Sequence, residues 1–213
     1  MVEAKKKYYE KRAQILVKNL QSRHFEAYYC SDCQEALKKA LELIPEGSKV
    51  GWGGALSAQQ IGLMDAIRKG NYRAIDRSQA KTPEEREQVM RDALLADVYL
   101  TGANGLSMDG EMVNIDGTGN RIAATLYDRE KVFLIAGVNK IAPDYDQALW
   151  RARNVAAPLN ARRLKRQTPC AVGELKCHDC NSPQRICNGF LTLERPMSGM
   201  EMFVLLVEED LGA

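Results

Sequence analysis

The sequence has no apolar run long enough to cross a membrane. Its longest aliphatic runs, FLIAGV at 133–138 and FVLLV at 203–207, have only the length of buried strands. No apolar segment follows the basic residues of MVEAKKKYYEKR at 1–12, so we expect no secretory signal. We therefore expect a soluble, cytoplasmic protein without a membrane span.

An excess of one charge is also missing. The chain has 30 Lys and Arg residues against 28 Asp and Glu residues, and this balance argues against nucleic acid as the main partner. The most basic stretch, 151–166, has six basic residues and no acidic one. We interpret it as the solvated face of a helix pair, with binding of an anion as the alternative. Neither G-x-G-x-x-G nor a P-loop is present, so there is no motif for a nicotinamide or flavin cofactor.

What is present is an alternation of short apolar runs with amphipathic segments. This alternation predicts an α/β fold of three layers, α/β/α, around a mostly parallel sheet. We divide the chain into an N-terminal helix at 1–24, an α/β core at 25–166, a Cys-rich segment at 167–190 that binds a metal or cluster, and a C-terminal strand at 191–213 that returns to the core. The predicted strands are 25–30, 49–52, 72–76, 97–102, 131–137 and 200–208.

Local signals predict several boundaries. An S-x-x-Q pattern that starts at Ser31 predicts a helix N-terminus there, and Ser57 with Gln60 predicts another. The pair at 109–110, Asp-Gly, predicts a hairpin turn. We expect the strand at 200–208 to lie near the edge of the sheet.

Two polar, Gly-rich stretches follow predicted strands, where parallel sheets bind ligands. In GWGGALSAQQIG at 51–62, Gly53 and Gly54 would let main-chain N–H groups face an anion at the next helix. Ser57 would cap that helix or contact the ligand. An ordinary tight strand–helix connection is the alternative.

The second stretch is ANGLSMDGEMVNIDGTGNR at 103–121. It offers amide donors and acceptors and one fixed charge, which suits a carboxylate or phosphate. Asp109 and Asp116 are the candidate general bases. The alternative is a hairpin whose side chains satisfy their own main chain. The candidate ligand-binding residues here and after the strand at 131–137 are Asn104, Asn114, Asn120, Arg121, Asn139 and Lys140.

Residues 95–155 together carry a family resemblance. The motif D-G-E-x-V-N-x-D-G-x-G-N-R at 109–121, G-x-N-K at 137–140 and A-x-x-R at 148–151 resemble the LUD domain, the family of lactate utilization proteins B and C. The resemblance extends over roughly residues 35–155 and includes the Gly-rich bend. It implies a fold similar to ribose-phosphate isomerases and CoA transferases, and a link to L-lactate oxidation without an assigned catalytic residue. It also implies a pocket that includes Gly53, Gly54, Asn104, Asp109, Asp116, Asn120, Arg121, Asn139 and Lys140.

Four of the six cysteines form a second cluster, because their spacing is C-x6-C-x2-C-x6-C. Four thiolates within eighteen residues suit Zn²⁺ or an iron–sulfur cluster, and we favour [4Fe–4S] over zinc. This spacing departs from the ferredoxin-type runs of lactate utilization protein B. Cys30 and Cys33 form a CSDC pair, which we interpret as a coincidence rather than a redox motif. The four clustered residues are Cys170, Cys177, Cys180 and Cys187.

These features lead to one main hypothesis and two alternatives. The main hypothesis is a small-anion-binding component of L-lactate or other 2-hydroxy acid oxidation, with electron transfer through the four-cysteine centre. The alternatives are a non-enzymatic assembly or sensing module stabilised by zinc, and an isomerase or transferase of the phosphosugar or CoA type. The candidate partners are a small anionic ligand, other lactate-utilization subunits and further copies of this chain.

Overall fold

The computed structural model describes residues 2–127 and 130–213. Their strands are β1 Glu26–Cys30, β2 Lys49–Trp52, β3 Arg73–Ile75, β4 Val98–Gly102, β5 Gly105–Ser107, β6 Met112–Asp116, β7 Lys131–Gly137, β8 Ile141–Ala142, β9 Gly189–Leu193 and β10 Glu201–Val207. Their α-helices are α1 Val2–Ser22, α2 Cys33–Leu43, α3 Leu56–Gln60, α4 Leu63–Lys69, α5 Pro83–Asp92, α6 Asn120–Leu126, α7 Tyr145–Arg151, α8 Ala157–Arg163 and α9 Pro169–Val172. Shorter turns of helix lie at Arg77–Gln79, Ala93–Leu95, Val138–Lys140 and Ala152–Ala156.

The main sheet is parallel and covered on both faces. Its strand order is β1-β10-β7-β4-β2-β3, and every neighbouring pair is parallel. Along β7, Phe133 and Ile135 pack into a core with residues of α2 and α4, whereas Val132 and Leu134 pack with residues of α1. Adjacent residues of one strand are therefore buried on opposite faces, which requires a layer on each side. The predicted parallel α/β/α arrangement is confirmed.

A second, smaller sheet covers part of the face that carries α1. Its order is β8-β5-β6-β9, with β5 and β9 antiparallel to β6. Leu106 and Met112 pack against the main sheet, whereas Val113 and Ile115 pack against α7, where Ala148 is buried. The hairpin at 109–110 was predicted, but the four-stranded sheet was not. Its function in the fold is to hold 103–121 against the main sheet.

Two helix starts and one strand position differ from the predictions. The cap of α2 is Asp32 rather than Ser31, because the Asp32 side chain accepts the N–H of Glu35 at 2.8 Å. Ser57 does not cap a helix: it is buried inside α3, and Gly62, with φ +80, separates α3 from α4.

The last strand is not at the edge of the sheet. β10 lies between β1 and β7, and its side chains are buried on both faces from 202 to 207. β1 is the edge strand beside it. No helix in the described residues combines the length and the apolarity that crossing a bilayer requires.

Candidate functional site

Four neighbouring strands of the main sheet end side by side. β10, β7, β4 and β2 are parallel neighbours, so their carboxyl ends lie at one edge, which we call the carboxyl edge. The Gly-rich bend 53–55, the turn 103–104, the turn 138–140 and the segment 208–213 leave the sheet there. Both stretches that the sequence predicted to form a site therefore reach the same edge, as the parallel topology requires.

Two cations converge at this edge. Lys140 is 1% exposed, and its Nζ donates to the main-chain oxygen of Ala213. Arg151 donates from Nη1 to the main-chain oxygens of Asn104, at 2.6 Å, and Ala213, at 3.4 Å, and from Nε to that of Asn139, at 2.8 Å. No Asp or Glu side chain of the described residues forms an ion pair with Lys140 or Arg151. Within that part of the chain, main-chain oxygens hold both cations.

Burial makes these charges costly. Burial, followed by the positive charge of Arg151, lowers the pKa of Lys140 to about 7, while Asp210 acts in the opposite direction. Burial also lowers the pKa of Arg151, again opposed by Asp210. A bound anion would favour the charged form of both groups.

An irregular turn of helix places Arg151. It is the last residue of α7, and the chain continues through a π turn, Ala152–Ala156, into α8. Pro158 explains this turn, because proline has no N–H for the carbonyl of Asn154 four residues earlier. Turns of this kind occur often at functional sites. The side chain of Asn154 accepts the N–H of Cys177 at 3.0 Å.

A third cation, Arg121, lies beside Asn104. Its Nη2 donates to the main-chain oxygen of Ile115 and lies 3.4 Å from Oδ1 of Asn104. The same Asn104 oxygen accepts the N–H of Ile115 at 2.8 Å. Burial lowers the pKa of Arg121, and the charge of Asp116, with Oδ2 at 3.8 Å from Nε, opposes that effect. Arg121 therefore positions Asn104, and the main-chain oxygen of Asn104 accepts a hydrogen bond from Arg151.

Asp116 caps α6. Its carboxylate is buried and accepts four main-chain N–H groups, those of Thr118, Gly119, Arg121 and Ile122, at 3.1–3.3 Å. These bonds stabilise a helix start that has Gly119 in the left-handed region at φ +83. They leave the carboxylate poorly suited to abstract a proton, although Asp116 was a candidate base.

The Gly-rich bend packs directly against the same group of residues. A Cβ at Gly53 would lie 2.6 Å from the Tyr99 hydroxyl and 3.4 Å from Cβ of Arg121, so any larger residue would have to displace the tyrosine hydroxyl. A Cβ at Gly54 would meet nothing within 4 Å among the residues described. Ser57, inside α3, lies over the end of β4, since its Oγ is 3.8 Å from a Cβ built at Gly102. The structure thus brings these predicted residues to the carboxyl edge.

Other predicted residues lie elsewhere or act locally. Asp109 is exposed at the hairpin turn, and its main-chain oxygen accepts from Arg23, which precedes β1 at the amino end of that strand. The structure therefore does not bring Asp109 to the carboxyl edge. Asn120 accepts from the hydroxyl of Thr118 at 2.6 Å. Asn114 is buried on β6, and its Oδ1 accepts no hydrogen bond from the described residues.

The four clustered cysteines lie at and after α9. Cys170 is in α9, and the other three are in residues 173–188, which connect α9 to β9 without helix or strand and which we call the Cys segment. All four thiols are free and partly buried. Burial raises the pKa of Cys187 to about 11; Arg185 opposes this, and the other three thiols add to it. The other three thiols are thus near enough to act on Cys187, yet among the described residues no three His, Cys, Asp or Glu side chains are grouped to hold a metal ion.

The Cys segment rests on the loop that carries the Asp116 cap. The N–H of Asn188 donates to the main-chain oxygen of Asp116 at 2.9 Å. A Cβ at Gly117 would lie 3.2 Å from the main-chain oxygen of Ile186. Arg185 crosses the segment and donates to the main-chain oxygens of Cys180 and Cys187, at 2.6 and 3.0 Å. The cysteines and the carboxyl edge are therefore parts of one packed region.

Both thiols of the CSDC pair have raised pKa values. Burial raises the pKa of Cys30 to about 12, with Glu35 adding to the effect. Burial and then the carboxylate of Glu209 raise the pKa of Cys33 to about 11. Both stay protonated at neutral pH, unlike the nucleophilic thiol of a redox motif.

Comparison with known proteins identifies the family. A family model described as "LUD domain" matches residues 13–207. The chain belongs to the LUD domain family. A crystal structure of a DUF162 family protein from Deinococcus radiodurans has a similar fold, with a TM-score of 0.54 and 10% identity over 93% of this chain and 98% of that chain. A search of curated proteins found no match. The resemblance seen in the sequence is confirmed, and this LUD family is associated in general with lactate utilization.

Two parts of the site in this LUD domain, Arg151 and the segment 208–213, were not among the candidate site residues, although anion binding was the alternative interpretation of 151–166. Arg151 was visible as the last residue of the A-x-x-R pattern at 148–151, but its position depends on the π turn after it. The segment 208–213 follows a buried strand, which is the signal used for the turn after β7. The rule that ligands bind at the carboxyl ends of parallel strands would have indicated 208–213 if it had been applied to β10.

Proposed function

We propose that this LUD domain binds a small carboxylate, such as a 2-hydroxy acid or its oxo product, in the oxidation of L-lactate or a related compound. One observation carries the proposal: Lys140 and Arg151 are held together at the carboxyl edge by main-chain oxygens, and neither pairs with an Asp or Glu side chain of the described residues. Two neighbouring cations out of bulk water repel each other and lose hydration. A bound carboxylate would offset both costs.

The neighbouring groups suit a ligand of this size and chemistry. Arg151 presents a planar guanidinium, which pairs well with a carboxylate. The Ser57 hydroxyl lies 3.0 Å from a Cβ built at Gly212, and Lys140 Nζ lies 3.4 Å from the same point, so hydroxyl and ammonium face one small volume. An isomerase or transferase would need a carboxylate base there. Asp116 is engaged in its cap and Asp109 lies elsewhere, so Asp210, whose charge acts on both cations, is the carboxylate that such a reaction would have to use.

The carboxylate site is tested by calorimetric titration with L-lactate, pyruvate and inorganic phosphate. We expect Arg151→Met and Lys140→Met each to weaken carboxylate binding by about 30-fold or more, because each leaves the ligand charge partly unpaired. Lys131→Met is the matched control, since Lys131 lies at the amino end of β7 and pairs with Glu201. Equal binding by all four proteins would refute the site.

A second part of the proposal concerns Cys170, Cys177, Cys180 and Cys187, which we propose hold one metal centre that passes electrons. Sixteen residues without helix or strand, 173–188, need some other source of order, and a tetrathiolate centre would supply it. The mutual effect of the thiols on the pKa of Cys187 supports their proximity. Their present arrangement would have to close further around an ion.

Zinc is the alternative occupant and would make the segment structural. The packing of Asn188 and Ile186 against the loop at 116–117 favours a role in holding the site together. Anaerobic purification followed by iron, zinc and acid-labile sulfide analysis separates the two. Iron with sulfide, lost in Cys180→Ala, supports electron transfer, whereas zinc without sulfide supports an assembly or sensing module. Absence of both would refute a metal centre.

A further inference from the structure

Residues 209–213 form a strap across the carboxyl edge. Leu211 is 3% exposed and packs into the main core. Its N–H donates to Oδ1 of Asn139 at 3.1 Å, and its main-chain oxygen accepts from Nδ2 of the same residue at 3.3 Å. The N–H of Gly212 donates to Oε1 of Gln60 at 2.6 Å. The strap is therefore fastened to the turn after β7 and to α3.

Two glycines allow the strap to lie this close. A Cβ at Gly137 would clash with the main-chain oxygen of Glu209 and lie 2.6 Å from the nitrogen of Leu211. Gly212 has φ +66, and a Cβ there would approach Ser57 and Lys140 at 3.0 and 3.4 Å. Side chains at either position would push the strap away from the edge.

The strap places an oxygen between the two cations. The main-chain oxygen of Ala213 accepts from Lys140 and from Arg151. Cationic donors that converge on one oxygen are the arrangement expected for a carboxylate ligand. A ligand carboxylate would offer the two cations a full negative charge in the same position. Ligand and strap cannot use the same position at once.

We propose that the strap is an internal competitor: a small carboxylate replaces the oxygen of Ala213 between Lys140 and Arg151, and so releases the end of the strap. The proposal rests on the proposed function, because it requires that the cation pair bind a carboxylate. The strap lowers the apparent affinity by the fraction of molecules in which it covers the cations. The strap also gives both cations a hydrogen-bond acceptor while no ligand is present.

Gln60→Ala tests the competition without touching the cations. Gln60 is exposed, so its loss should not disturb folding, and it removes the acceptor for Gly212. We expect pyruvate to bind about three- to tenfold more tightly at pH 6.5, where Lys140 is charged, because the strap loses one hydrogen bond. Gln59→Ala is the matched control, since Gln59 is the neighbouring residue on α3 and is also exposed to solvent.

Hydrogen exchange at the amides of Leu211 and Gly212 gives a second measurement. Both should exchange faster when pyruvate saturates the native protein. Slower exchange would refute the competition between strap and ligand. Unchanged affinity in Gln60→Ala, while the native protein binds pyruvate, would also refute it. Either result would leave the proposed function intact. If neither protein bound L-lactate or pyruvate, both the proposed function and the competition would fall.

Discussion

Carboxylate binding at the carboxyl edge should weaken as pH rises above 7, because Lys140 then loses its proton. Burial lowers the pKa of this ammonium group to about 7 from its ordinary 10.5. A bound carboxylate favours the charged form and raises the pKa again. Above pH 7, binding must therefore take up a proton from solution, whereas Arg151 keeps its charge throughout.

The size of the effect follows from linkage. One linked proton changes the dissociation constant by up to about tenfold per pH unit, or about 1.4 kcal/mol. Between pH 7 and 9 we expect the affinity for pyruvate to fall roughly 50- to 100-fold. Proton uptake should approach one per ligand at about pH 8.5 and zero at about pH 6.

Calorimetry in two buffers of different ionisation enthalpy, HEPES and Tris, measures the proton uptake directly. Lys131→Met should behave as the native protein does. An affinity that stays flat between pH 7 and 9, with the same enthalpy in both buffers, would refute the role of Lys140.

The same pKa has a consequence for the protein without ligand. The folded pKa of Lys140 lies below the unfolded one, so the unfolded chain binds more protons between about pH 7 and 10.5. Stability should therefore rise through that range, by at most roughly 5 kcal/mol. Lys140→Met should lack this rise, which denaturant titrations at several pH values would show.

Three further predictions concern single residues. Gly53→Ala should destabilise the protein by about 1–3 kcal/mol in denaturant titrations, because its Cβ would meet a tyrosine hydroxyl, whereas Gly54→Ala should be near neutral. Asp116→Asn should cost about 1–2 kcal/mol in the same assay through the weakened cap of α6, and a loss of activity without a loss of stability would contradict that role. Cys30 and Cys33 should resist alkylation by iodoacetamide at pH 7.5 in the folded protein, as followed by mass spectrometry; rapid labelling of either would contradict their raised pKa values.

The sequence predicted the main sheet well because its signals are local. Buried strands such as β7 are continuous apolar runs, and helix starts carry capping residues within a few positions. Thr82 illustrates this: its side chain accepts the N–H of Glu85, as the T-P-x-E pattern indicates. Lys140 was also predictable, because the carboxyl end of a parallel strand is a ligand position whatever the loop sequence.

The second sheet was not predictable for a physical reason. β5 has three residues and β8 has two, which is too short for a periodic pattern, and their pairing joins residues as distant as Leu106 and Ile141. Arg151 depends in the same way on non-local structure, since a π turn sets its direction. The cap that Asp116 forms could not be predicted, because a carboxylate that caps a helix and one that acts as a base look identical in sequence.

The cation site and the cysteines are joined through the helix that carries Arg151. Asn154, in the π turn directly after Arg151, accepts the N–H of Cys177, so the order of the Cys segment and the direction of the guanidinium depend on one turn. A metal that drew the four thiols together would restrain that turn from the other side. Ordering of the site would follow with either iron or zinc, whereas electron transfer requires iron. A metal-dependent change in carboxylate affinity would therefore support the connection between the two parts but would not by itself identify the chemistry.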